Sequence, residues 1–298
     1  MSESAPFALA LLRLDGLGRV TAQRLLAHFP TYDALRATPR EQVLLRIKGA
    51  PRAADLVGRL FDDEPMRELL AETSGALATL ESRRITVLTR HHEHWPPRLD
   101  ALDLADRPPL LYAYGDVGLL TRPAVALFAR PPLPGPAFEI AQDLVRTLIR
   151  HDVLVMGGAE HGFDVVVHKL CVGAGVPSVL VANAGMARIP KPIRPIASAA
   201  VRAGGLLLSP FPVEHGPFAH DDAERALVMG AIARASAFFA PPPDSHEMRA
   251  LDWTVEHDRP AFGVAGDTPL PPRVHALDRP IDLDWVVAAA APESDDEP

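Results

Sequence analysis

The sequence predicts an α/β protein: a doubly wound, mainly parallel sheet preceded by a small all-α domain. Three observations carry that reading. From Ala124 onward, short apolar runs alternate with amphipathic stretches, as strands joined by crossover helices do. Residues 153–168, VLVMGGAEHGFDVVVH, read as a buried strand that passes through a glycine turn into a helix. Before residue 63 the pattern is helical and is broken twice by short hairpins that contain glycine.

Composition sets bounds on function. The 298 residues suit one large domain plus a small one, and 48% hydrophobic with 23% charged residues is an ordinary globular balance. No uninterrupted apolar run reaches the roughly 18 residues of a membrane span, and the start MSESAP lacks the basic and apolar parts of a signal peptide. No membrane association is expected. A single cysteine, Cys171, excludes an internal disulfide framework and makes the cytoplasm the expected compartment. Its apolar neighbours mark it as a buried small hydrophobe rather than a nucleophile. The net charge of −8 argues against a surface that coats nucleic acid nonspecifically, yet leaves room for a local basic site. Part of the negative excess lies in the tail 292–298, PESDDEP, whose composition is that of a disordered segment.

Residues 1–63 form the expected helical domain. In 11–26, Gly16 and Gly18 separate two short helices, and 44–57 repeats the arrangement with Gly49 and Pro51. These resemble paired helix-hairpin-helix motifs, whose hairpin amides meet a nucleic-acid phosphate while a nearby cation adds charge. Gly16, Gly18, Arg19, Lys48 and Gly49 are then accessory contacts; a helical protein-contact module without a DNA role fits the same pattern. A helix over 64–83 leads to a strand at 85–89 and the loop HHEHW. The spacing of His91, His92 and His94 matches no familiar zinc pattern, so no metal is expected.

The large domain is expected over 64–267, with a proline-rich and acidic tail over 268–298. Strands are predicted at 124–129, 153–157, 178–183, 205–209, 235–240 and 261–264, and helices near 137–150, 163–174, 196–203, 223–233 and 247–257. Six strands with crossover helices is a Rossmann-like count. The loops after Ala129, Gly157, Asn183 and Ser209 should therefore converge at the carboxyl edge of the sheet, where ligands of such folds bind.

At that edge Gly157, Gly158 and Gly162 allow close backbone approach, and the following helix offers unpaired N–H groups and the positive end of its dipole to an anion. Asp164 and His168 share one face of that helix. Both count with these groups toward the expected phosphate site; the alternative is that Asp164 caps the helix and His168 is a core histidine bonded to Asp164, with acid–base work a further use of the pair. Arg130 and Arg225 supply charge. Lys169, Lys191 and Arg194 either line the mouth or are solvated surface charges, and His161 adds charge near or below its pKa. The strand at 124–129 leads into RPPLPG without a G-x-G-x-x-G turn, and no P-loop or nucleophile elbow occurs. No catalytic residue and no cofactor is assigned.

Several segments together resemble the DprA/Smf family of bacterial DNA-processing proteins, over about residues 8–267. WPPRL (95–99) resembles the family's Tyr-Pro-x-x-Leu, and RPAVALFAR (122–130) its Arg-Pro-Ala-Val-Ala-Ile-Val-Gly-Ser-Arg. GFDVVVH (162–168) resembles Gly-Ile-Asp-Ala-Ala-Ala-His, GLLLSPFP (205–212) resembles Gly-Leu-Leu-Leu-Ser-Glu-Tyr-Pro, and EHDRPAFGVAG (256–266) resembles Glu-Gln-Gly-Arg-Glu-Val-Phe-Ala-Val-Pro-Gly. Arg225 falls at the second arginine of Arg-Asn-Arg-Ile-Ile-Ala. The resemblance implies a non-enzymatic homodimer that binds single-stranded DNA and passes it to a RecA-type recombinase in DNA uptake. Departures weaken the implied site. Ala129 and Arg130 replace a Gly-Ser turn, Glu160-His161 stands in place of an arginine, Ala223 replaces another, and 244–248 replaces Ser-Gly-Ser-Leu. Two lost phosphate-binding cations cost several kcal/mol, at about 1.5–3 kcal/mol for each charge-assisted bond. A nucleotide sensor or nucleotide-processing protein on the same fold, or a paralogue that has lost its ligand, stays open.

Overall fold

The computed structural model describes residues 4–160 and 162–291. The chain divides into two compact units, Met1–Ala113 and Tyr114–Pro298.

In the first unit, helices α1 (Ala5–Arg13), α2 (Arg19–His28), α3 (Tyr32–Arg36), α4 (Arg40–Arg46), α5 (Ala53–Leu60) and α6 (Asp63–Ser82) precede strand β1 (Ile85–Leu88). Strand β2 (Leu111–Gly115) spans the division. Gly16 (φ +79°) and Gly49 (φ +90°) make the two hairpin turns in the left-handed region that glycine adopts without penalty. Thr31 caps α3 by accepting the Ala34 N–H. The division falls well after residue 63, because α6 packs on α1 and buries Met66, Thr73 and Leu77. The Thr73 hydroxyl donates to the Pro6 carbonyl. An amphipathic helix shows in sequence that it has a buried face but not which neighbour covers it.

The histidine loop is held by local bonds: His91 Nε2 bonds the Leu26 carbonyl at 2.6 Å and His92 Nδ1 accepts the His94 N–H. Among the described residues no group of three or more His, Cys, Asp or Glu is placed to hold a metal ion.

The second unit continues with β3 (Ala124–Ala129), α7 (Gly135–Arg150), β4 (Leu154–Gly158), α8 (Phe163–Gly173), β5 (Ser178–Val181), α9 (Arg194–Arg202), β6 (Leu206–Ser209), α10 (Asp221–Ile232), β7 (Ala235–Phe239), α11 (His246–Glu256), β8 (Ala261–Val264), β9 (Val274–Ala276) and α12 (Pro280–Ala290). Its strands lie in the order β6-β5-β4-β3-β7-β8-β9, and the pairings are parallel. Such strands are covered on both faces, which is why they read as unbroken apolar runs. From β3 the chain moves outward through β4, β5 and β6, then returns to place β7 on the other side of β3. The order therefore reverses at β3, and the crevice beyond Ala129 is the place where such sheets take ligands.

The core beneath the switch point joins Val125, Leu127, Val155 and Phe239 of the strands to Leu144, Leu148, Val167 and Cys171 of α7 and α8. Burial pushes the Cys171 thiol up to about 12, so it stays protonated and behaves as an apolar side chain. Residues 268–291 differ from the expected tail. β9 pairs with β8, and α12 sends Leu283, Val286 and Ala290 into the same core. Pro280 opens that helix, and the Asp282 carboxylate caps it by accepting the Asp278 and Arg279 N–H groups. The acidic tail 292–298 lies outside the described residues. No described helix is long and apolar enough to cross a membrane.

Candidate functional site

The connections after β3, β4, β5, β6 and β7 supply the carboxyl edge of the second unit's sheet, and the glycine turn between β4 and α8 carries the site. A Cβ on Gly158 would collide with the Arg225 guanidinium and the Asp164 carboxylate, one on Gly162 (φ +85°) would meet Pro131 Cγ at 2.8 Å, and one on Gly157 would meet His168 Nε2 at 3.0 Å. Gly158 and Gly162 therefore leave no room for a side chain, and Gly157 is tight against His168. What approaches Gly158 is this chain's own arginine and carboxylate.

Arg225, from α10, is the centre of the site, its side chain only 9% exposed. Nη2 lies 3.0 Å from Glu160 and 3.5 Å from Asp222, Nη1 lies 3.8 Å from Asp164, and Nε is buried without a hydrogen-bond partner. Asn183, just beyond β5, donates its amide to Glu160 at 3.1 Å and to Asp222 at 2.8 Å. The Asp244–Met248 segment that departs from the family pattern forms the start of α11: Ser245 caps it by accepting the Met248 N–H, and Glu247 pairs with Arg130 at 3.3 Å.

Four carboxylates thus surround two guanidinium groups. Burial is the largest influence on Glu160 and raises its pKa, with Asp222, Asp164 and Glu247 adding to the rise against the pull of Arg225. Asp164 is raised for the same leading reason, although Arg225 and the backbone of Glu160 and Gly158 oppose it. Burial alone would lower Arg225; the four carboxylates together outweigh that and raise it. The guanidinium is charged, and its charge is already answered from within the molecule.

The other expected residues separate into several groups. Asp164 does not cap α8. The N-cap position is Gly162, and the Asp164 side chain turns back to accept the Glu160 N–H at 3.1 Å, which fastens the loop. His168 is not bonded to Asp164. It is fully buried, with Nε2 3.0 Å from the Gly158 carbonyl and Nδ1 3.0 Å from the Ser178 hydroxyl. A carbonyl only accepts, so Nε2 carries the proton and Nδ1 accepts from Ser178. Burial lowers its pKa to about 4, so it is neutral and ties β4 to β5. Lys169 lines a groove with Arg146, Arg150 and Ile281, where α7 and α8 end, away from the carboxyl edge. Lys191 is exposed on the loop between β5 and α9. Arg194 is occupied, donating to the Ile189 and Ala187 carbonyls at 2.8 and 3.4 Å. His161 lies outside the described residues. In the first unit, Gly18 precedes α2, Lys48 is exposed, and Arg19 donates to the Arg107 carbonyl at 2.7 Å, so its charge serves local structure.

One feature of the edge was missed in the sequence. After β6 the chain carries Phe211, His215, Phe218 and His220. His215 stacks on Phe211 at 4.6 Å and meets Phe218 edge-on at 5.0 Å, and Phe218 stacks with His220 at 6.0 Å. Buried Asp221 anchors the run, accepting the Phe218 N–H at 2.7 Å and facing His215 Nε2 at 3.0 Å. Phe218 is 57% exposed. The alternation of aromatic and histidine residues in EHGPFAHDD was the available signal.

The model of a family described as DNA recombination-mediator protein A matches residues 86–273. The Smf protein of Escherichia coli strain K12 is 22% identical over 192 residues, 64% of this chain and 51% of that protein. The Smf protein of a Synechocystis strain is 21% identical over 268 residues, 88% of this chain and 65% of that protein. The chain thus spans about half to two thirds of the length of these relatives. Among solved structures, DNA processing protein A of Streptococcus pneumoniae superposes with a TM-score of 0.70 at 15% identity, covering 94% of this chain and 95% of that one. A DNA processing protein A from Helicobacter pylori, described for its single-stranded DNA binding mode, superposes with a TM-score of 0.58 at 16% identity, covering 69% of this chain and 96% of that one.

Proposed function

Because this chain belongs to the DNA recombination-mediator protein A family, we propose that it binds single-stranded DNA along the carboxyl edge of its sheet and passes it to a RecA-type recombinase during DNA uptake. The observation that carries the reading is a pairing within one segment. Exposed Phe218 offers a stacking face, and Arg225, seven residues on in the sequence, lies against the Gly158 backbone. Single-strand binders combine these two elements, with base stacking on aromatic rings contributing about 1–3 kcal/mol per base and cations holding phosphate. The single-stranded DNA binding mode of the Helicobacter pylori protein supports the same ligand. In this reading the protein acts as a cytoplasmic homodimer without an enzymatic step, cofactor or membrane partner, and the hairpins at Gly16 and Gly49, with Lys48, are accessory contacts.

A second reading has its own support. Glu160 and Asp164 both have raised pKa values beside an arginine at a switch point, the kind of pairing that serves acid–base work on a nucleotide.

Fluorescence anisotropy of a labelled single-stranded oligonucleotide across a salt series tests the two, with duplex DNA and free nucleotides as competitors. Salt-sensitive, strand-selective binding is expected. Absence of binding at low salt, or displacement by free nucleotide at stoichiometric amounts, overturns the first reading.

A further inference from the structure

The carboxylates around Arg225 are not equivalent. Glu160 makes the shortest ion pair, 3.0 Å against 3.5 and 3.8 Å for Asp222 and Asp164. It is also a third exposed (33%), close to Asp222 at 30%, whereas Asp164 is 12% and Glu247 8% exposed. It is carried by the loop rather than by a helix. Glu160 thus combines the shortest contact to the arginine with exposure to solvent and a place on a loop, whereas Asp222, similarly exposed, is fixed on α10. The site also holds donor capacity that a carboxylate there leaves idle. Arg225 Nε is buried with no acceptor. The Asn183 amide that now holds Glu160 is a further donor at the same spot.

We propose that the Glu160 carboxylate occupies the place of a ligand phosphate on Arg225, and that a polyphosphate anion binds by exchanging with it. That the polyanion is single-stranded DNA rests on the reading given above; the exchange itself rests on the geometry of Arg225. A phosphate in this position takes over the Nη2 ion pair that Glu160 vacates, gives Nε its missing acceptor, and accepts from Asn183. Glu160 swings to solvent, which removes one negative charge from a cluster where carboxylates outnumber guanidinium groups.

The groups facing Glu160 give the exchange a direction in pH. They are Arg225 and Asp222 on α10, Asp164 on α8, Asn183 after β5, and Glu247 on α11, which carries Arg130 with it; His246 of α11 lies 4.0 Å from Asp222. Burial raises the pKa values of Glu160 and Asp164, and protonating either makes the site less negative. Anion binding strengthens as pH falls, and the part due to Glu160 vanishes when that residue cannot ionise.

The test compares wild type with Glu160→Gln, using a labelled oligo(dT) by anisotropy and inorganic pyrophosphate by thermal shift. The variant is expected to bind oligo(dT) about fivefold to tenfold more tightly at low salt, with a salt slope steeper by about one unit, and to lose part of the pH dependence. Adding Arg225→Ala should cancel the gain. If wild type binds oligo(dT) and the variant changes neither affinity nor slope, the exchange is wrong and the single-strand reading stands. If neither protein binds oligo(dT) but Glu160→Gln alone is stabilised by pyrophosphate, the exchange stands and the single-strand reading falls. Should the glutamine variant fail to fold, Glu160→Ser carries the test; affinity and salt slope for oligo(dT) unchanged from wild type in that variant overturn the exchange.

Discussion

Two buried polar networks meet at Gly158 and have opposite characters. On one side, His168 bridges the Gly158 carbonyl and the Ser178 hydroxyl, neutral and with both ring nitrogens satisfied. On the other, Arg225 holds a full charge among four carboxylates at uneven distances, with Nε unsatisfied. A satisfied neutral network adds rigidity at little cost, whereas a buried charged one is costly to desolvate and stabilises only if its geometry is very good. The histidine, which resembles a functional residue in sequence, is structural, and the arginine cluster, with a donor left unmet, is where ligand binding is proposed.

The largest expected effect follows from that contrast. His168→Ala removes a fully buried ring, opens a cavity and orphans the Ser178 hydroxyl, so it should destabilise the second unit by about 3–5 kcal/mol in denaturant unfolding. DNA affinity per folded molecule should be unchanged. A variant that keeps its stability but loses binding would move His168 into the site and undo the comparison.

Next in size is a pair of opposed pH effects. The His168 pKa falls from 6.5 to about 4 on folding, so its contribution is present above pH 6.5 and is lost as pH falls towards 4, about 3 kcal/mol in all. Glu160 and Asp164 are raised, so their contribution is present below the ordinary carboxylate range and is lost as pH rises through their folded values. Relative to wild type, His168→Gln should therefore lose less stability on acidification from pH 6.5, and Glu160→Gln should lose more. Unfolding midpoints measured across that range check both signs, and two variants with parallel curves would show that the networks do not differ as described.

The fold was legible because parallel strands buried on both faces leave unbroken apolar runs, and glycine turns punctuate them. β9 and α12 were not: a three-residue strand has no period to detect, and IDLDWVVAAA after a proline-rich spacer shows no clear polar face. Within the site, Gly158 and Arg225 could be found in the sequence, since each occupies a recognisable motif position. Their partners could not. Asp222 is one helical turn before Arg225 on α10, but Asn183 follows β5 and Glu247 opens α11, and only the assembled sheet brings those two to the arginine. The pairing of His168 was misread for the same reason: its neighbour in space is Ser178 on the adjacent strand, whereas Asp164 is merely its neighbour on the helix.

Phe218 sharpens the comparison at the ligand side. Its ring is 57% exposed, so Phe218→Ala should change stability little, yet it should weaken single-strand binding by about 1–3 kcal/mol with the salt slope intact, because stacking releases no counterions. Unfolding and anisotropy on the same preparation separate the two quantities. A fall in the slope would mean that the aromatic run positions a cation rather than a base.

The smallest effect is the one that tests whether location or mere charge governs binding. Lys169 and Lys191 are both exposed cations, but Lys169 faces the groove at the ends of α7 and α8, while Lys191 is on a loop that follows a strand's carboxyl end. Neither alanine substitution should change stability by more than about 0.5 kcal/mol. If binding follows the carboxyl edge, Lys191→Ala lowers the salt slope by up to about one unit and Lys169→Ala leaves it alone. Equal losses from both would mean that the strand is held by diffuse attraction over the second unit, and the Arg225 cluster would then be a structural knot like that of His168.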